Sequence, residues 1–89
     1  MPCLNPDGTL TRVARALLTV LERGQADASG LSAVTGLPLW RVRASLRELA
    51  GQDLVAAPGP LLPDGDVPHV LTETGREVLD LSRALDGEE

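Results

Sequence analysis

The strongest constraint on this chain is the punctuation between Asp27 and Val55, DASGLSAVTGLPLWRVRASLRELAGQDLV, which reads as a helix, a tight turn and a second helix. Asp27 is placed to cap the shorter helix by accepting a backbone N–H from Ser29 or Gly30. Leu31 and Val34 are its expected inward pair, and Gly36 is free to turn left-handed at its end. Pro38 has a φ that is already helical and no N–H to lose, so it suits the first turn of the next helix, expected over 38–50. In that helix Val42, Leu46 and Leu49 recur at i, i+4 and i+7, a single stripe for burial. At about 100° per residue, the opposite side carries Trp40, Ala44 and Arg47, flanked by Arg41 and Arg43. The predicted outward face is therefore positive and aromatic.

Composition narrows what surrounds this unit. The chain has 89 residues, 43% of them hydrophobic, with one Trp and no Phe or Tyr, so a single small core must be built from Leu, Val and Ala. That favours interlocking helices over a β-sandwich. From Leu10 to Arg23 apolar residues at 10, 13, 14, 17, 18 and 21 keep a helical period, Thr9 or Thr11 can cap it, and Gly24 ends it. Gln25 and Ala26 then leave room for a short extended link or a one-residue bridge to later strands. Leu54 to Ala57 reads as a short strand, Val67 to Leu71 as its antiparallel partner, and residues 58–66 as the connection. Pro68 removes a ladder donor and keeps that partner short or at an edge. Thr72 caps a last helix from Glu73 to about Asp86, with Val78, Leu81 and Leu85 on one face and Leu79 beside them. Residues 1–8 are expected to form a flexible arm, 9–86 the domain, and 87–89 a disordered tail.

The spacing resembles the helix-turn-helix of winged-helix transcription regulators, the broad class that includes bacterial multidrug-resistance, phenolic-acid and metal-response repressors. Its residues are the apolar positions of the first helix of the motif, the glycine turn, Leu37-Pro38, and then Val42, Leu46, Leu49, Leu54 and Val55. Leu71-Thr72-Glu73-Thr74-Gly75-Arg76 is similar to the "L-T-x-x-G" that opens the last helix of such domains. The resemblance implies a mainly α fold with a small β wing: a three-helix core, a two-stranded wing and a C-terminal helix. Asp53 stands where the family usually has glycine, and acids stand in the wing where it often has basic residues. Aspartate tolerates a left-handed backbone better than most residues.

The formal net charge is −5. Residues 1–57 carry six arginines and five acids, whereas 58–89 carry two arginines and eight acids. A positive helix on an acidic body is expected to dock on DNA through that one face while the remainder repels it. Trp40, Arg41, Arg43, Ala44 and Arg47 are the expected DNA-binding residues, because arginine can pair bidentately with guanine O6 and N7 or clamp a phosphate. One such helix covers few base pairs, so a homodimer reading a palindrome is expected, joined through Val78, Leu81 and Leu85. The alternative is a winged-helix module that binds another protein through Trp40 and the wing leucines, Leu61 and Leu62, without DNA. For Trp40, an outward role and a fold-back over Leu39 or the first helix remain equally open. Asp64 and Asp66 oppose phosphate contact from the wing.

No constellation suggests catalysis, so an enzyme is not expected. Cys3 is single and no Cys/His spacing suggests zinc or another cofactor. His69 reads as a surface or partly buried residue. No run reaches the roughly 18 apolar residues of a membrane span, and the start MPCLNPDG lacks the basic and apolar regions of a signal peptide, so a cytoplasmic location is expected.

Overall fold

A computed structural model describes residues 10–57 and 67–86. The expected arm, the wing loop with Leu61, Leu62, Asp64 and Asp66, and the tail lie outside the described residues. Helices α1 (Arg12–Leu21), α2 (Ala28–Thr35) and α3 (Leu39–Gly51) are followed by strands β1 (Val55–Ala56) and β2 (Val70–Leu71), then by helix α4 (Glu73–Asp86). The strands pair antiparallel, Val55 with Leu71 and Ala56 with Val70. An isolated bridge joins Ala26 to His69 through N–H···O bonds of 2.8 and 3.1 Å, which is the one-residue link expected after α1.

The core is aliphatic throughout. Leu10, just before α1, and Ala14, Leu17, Leu18 and Leu21 of α1 meet Ala28 and Leu31 of α2, Val42, Leu46 and Leu49 of α3, Leu54 and Val55, and Leu79 of α4. Thr11 caps α1 by accepting the N–H of Ala14, so the helix starts two residues after Leu10. Asp27 caps α2 through Gly30 N–H at 2.8 Å.

One inward assignment fails. Val34 is 66% exposed, and the buried residues of α2 are Ala28 and Leu31. Ala28 and Leu31 lie about 60° apart around the helix, and Val34 lies about 60° beyond Leu31, on the side away from Ala28. In a helix of eight residues that rotation carries it off the core. On α4, Leu79 enters the core fully and Val78 packs partly against it, while Leu81 and Leu85 are exposed at 59% and 66%.

The junction between α3 and α4 is closely packed. Leu54 N–H bonds to Leu49 C=O and Asp53 N–H to Ala50 C=O, with Asp53 left-handed at φ 63, which closes α3 in a Schellman motif. The Leu54 C=O accepts Thr72 N–H at 3.1 Å, and the Thr72 hydroxyl donates to Asp53 C=O at 2.5 Å while capping α4 at Gly75 N–H. Gly75 lies so close that a Cβ there would sit 2.1 Å from the Leu54 carbonyl oxygen.

Helix α4 is also tied to α1 from its far end. Both nitrogens of Arg83 donate to the carboxylate of Glu22, at 2.8 and 3.1 Å, and Arg15 donates to the Ser82 hydroxyl at 3.1 Å. The hydrogen bond from Arg83 is the main cause of a Glu22 pKa below the ordinary value, with the charges of Arg83, Arg76 and Arg23 acting in the same direction.

Two expected outcomes follow from these contacts. Gly75→Ala must push α4 away from Leu54 and should lose about 3 kcal/mol in urea unfolding, whereas Asp53→Gly relieves a left-handed non-glycine residue and should gain up to about 1 kcal/mol. A Gly75→Ala protein of unchanged stability would show that α4 is not seated so closely. For Glu22, the folded pKa lies below the unfolded one, so its contribution is present above the unfolded value and is lost as pH falls through the folded value. Glu22→Gln should therefore be less stable than the parent at neutral pH and match it only in acid below the lowered folded pKa, where the carboxylate is protonated in both states. A stability difference that persists unchanged into acid would contradict the ion pair.

Candidate nucleic-acid interface

The face that α3 presents is set by how its two ends are fastened. At the amino end the turn from α2 satisfies its own polar groups: Gly36, left-handed at φ 78, donates to Ser32 C=O at 2.9 Å. The Ser32 hydroxyl donates to Leu37 C=O at 2.6 Å, and Leu37 N–H reaches the Thr35 hydroxyl at 3.3 Å. Leu37 and Leu39 both pack against the core. With its backbone bonded internally and its leucines inserted, this turn fixes the angle between α2 and α3.

Pro38 holds a position one residue earlier than expected. Its φ is −61 but its ψ is 146, and its C=O accepts from both Arg41 and Val42 N–H at 3.0 Å, so it is the N-cap and the helix runs over 39–51 rather than 38–50. The ring presets φ alone, and ψ remains extended as an N-cap requires. It offers no side-chain cap. Pro38 itself is exposed, as is Trp40 two residues on.

With Val42, Leu46 and Leu49 buried at 0%, 3% and 0%, the rotation of α3 is determined. Trp40, Ala44 and Arg47 are exposed on the other side, and Arg41 and Arg43 are half-buried at its flanks. The structure thus brings the five sequence-predicted residues onto one outward surface. Trp40 is 69% exposed, which excludes the fold-back over Leu39 or α1. Arg43 differs from the others: its Nε is buried without a hydrogen-bond partner, so its stem is held by packing while the residue as a whole stays partly open to solvent. Glu48, four residues after Ala44, is also exposed and limits the acid-free stretch to the first nine residues of the helix. Its exposure was readable from the same period that placed Arg47, since both fall outside the buried stripe.

Elsewhere the described residues offer no rival chemistry. No group of three or more His, Cys, Asp or Glu side chains among them is arranged to hold a metal ion. His69 faces its own strand, with Nδ1 2.9 Å from Val67 C=O. No helix among the described residues is long and apolar enough to cross a membrane. Val78 is partly buried, and Leu81 and Leu85 are exposed on α4, far in sequence from the arginines of α3.

No protein-family model matches the sequence, and no curated protein matches it. Solved structures do match in fold. The adhesin competence repressor of Streptococcus pyogenes aligns with a TM-score of 0.71 at 17% identity, over 86% of this chain and 57% of that chain. A MarR family regulator from Neisseria meningitidis aligns with a TM-score of 0.71 at 24% identity, over 86% and 56%. A zinc-responsive MarR family member from Lactococcus lactis aligns with a TM-score of 0.71 at 19% identity, over 94% and 58%. The chain has the winged helix-turn-helix fold of these bacterial regulators and spans less than two thirds of the length of each.

Proposed function

We propose that this protein is a DNA-binding transcriptional regulator that inserts α3 into the major groove and acts as a homodimer. The observation that carries the reading is the outward face of α3. Its first nine residues, Leu39–Arg47, hold three arginines and no acid on a chain whose net charge is −5. A helix of this kind fits the major groove with its amino-terminal residues toward the base edges. The likeness to repressors and regulators supports the same reading. In it, Arg47 or Arg43 pairs with a base edge and Arg41 holds a phosphate. Trp40 and Ala44 complete the contact surface.

The dimer rests on a separate feature. Leu81 and Leu85 are large, exposed and on one face of α4, and Leu81 lies outside the buried core that holds Leu79. A second copy of the chain placed there would cover both leucines and set two α3 helices against successive half-sites. The competing assignment, a protein-binding module without DNA, takes the exposed Trp40 as its anchor; the wing leucines it also names lie outside the described residues.

Gel-shift titration against a duplex selected from a random pool should show that Arg47→Ala costs about 1 to 3 kcal/mol and relaxes preference at one base pair. Arg41→Ala should weaken all sequences alike and reduce the salt dependence. Arginine variants that bind as the parent does would remove α3 from the interface. In sedimentation at micromolar concentration the parent should run as a dimer and Leu81→Asp as a folded monomer. Unfolding of Leu81→Asp would instead place Leu81 in the core, and a monomeric parent would remove the α4 interface.

A further inference from the structure

We infer that Trp40 is a specificity-determining residue that reads the 5-methyl group of a thymine; this deepens the DNA-binding reading and rests on it. Exposing most of an indole to water is unfavourable, and large apolar side chains of a small domain normally pack on their own core. Here the sole aromatic residue of the chain stays 69% exposed although the leucine core lies on the other side of the same helix. The position is held rigidly: Pro38 N-caps the helix, Arg41 and Val42 bond to its carbonyl, and Leu37 and Leu39 on either side of Pro38 are packed on the core. The side chain is therefore presented by a fixed backbone.

What such a side chain can recognise depends on its neighbours. Trp40 is the second residue of α3, in the half of a recognition helix that meets base edges, and Ala44 lies one turn away on the same face. Arg41, Arg43 and Arg47 surround this apolar pair with positive charge and Leu39–Arg47 holds no acid, so charge complementarity selects a polyanion as the occupant. Among the groups that the major groove presents, hydrogen-bond donors and acceptors dominate, and the thymine methyl is the apolar one. The ring face of an indole flanked by alanine matches that group, and since the indole has a single N–H donor and no acceptor, it leaves the amino donors of adenine and cytosine unpaired. A thymine in each half-site is accordingly the base that Trp40 selects, while the arginines account for guanine and phosphate.

The test uses the full chain and the duplex selected for it, with each thymine replaced in turn by uracil, which lacks only the methyl. At one thymine per half-site, uracil should weaken binding of the parent about fourfold, the effect of removing one buried methyl-sized group from water-free contact. Trp40→Ala should bind the thymine and uracil duplexes equally, with its thermal melt unchanged because the side chain is exposed. Parent binding that is tight but indifferent to every uracil overturns the inference and leaves DNA binding intact. A Trp40→Ala protein that is weaker yet keeps the fourfold preference also overturns it, and assigns Trp40 to the sugar-phosphate backbone. Absence of any sequence-selective binding overturns the inference together with the reading beneath it.

Discussion

Burial of Val42, Leu46 and Leu49 fixes how α3 is rotated about its own axis, and what the chain offers to a partner follows from that rotation. The three side chains are almost wholly buried among the leucines of α1 and α2. A helix with a stripe at i, i+4 and i+7 has only one way to satisfy it, so residues half a turn away must face solvent. Trp40, Ala44 and Arg47 are those residues. The turn through Gly36 and the Schellman closure at Asp53 then hold the two ends, so neither rotation nor tilt is left free.

The second half of the chain serves this arrangement. Gly75 lets α4 begin against the Leu54 carbonyl, and the bond from Thr72 to the same carbonyl joins the end of β2 to the start of β1. Leu79 inserts into the core, and Arg83 reaches Glu22 across 61 residues of sequence. Helix α4 also carries exposed acids, Glu73, Glu77 and Asp80, that would repel a polyanion. An acidic body behind an arginine helix limits electrostatic attraction for a polyanion to one face, which under the proposed function would favour a defined orientation over indiscriminate coating.

Much of this was legible in the sequence because it is local. Caps, a left-handed glycine and an apolar period involve residues within a turn or two of each other, so the roles of Asp27, Gly36, Thr72 and the α3 stripe, and the tolerance of Asp53 for a left-handed backbone, are legible in the sequence. Val34 was misplaced because eight residues give two turns of helix, too few to separate a stripe through Ala28 and Leu31 from one through Leu31 and Val34. The role of Gly75 as a contact with Leu54 and the pairing of Arg83 with Glu22 were not readable, since each depends on a neighbour far away in the chain. For Trp40 the period gave the direction but not the degree of exposure, which depends on whether any other element rises to cover it.

Whether the outward face of α3 holds DNA, as proposed, is tested most directly by an NMR titration of the uniformly labelled chain with its selected duplex. The single indole N–H of Trp40 and the backbone amides of Ala44 and Arg47 should shift as duplex is added, while the amides of Glu73 to Asp80 on the acidic helix remain in place. Shifts centred on α4 with the Trp40 indole unmoved, or no shifts at low salt, would contradict the account.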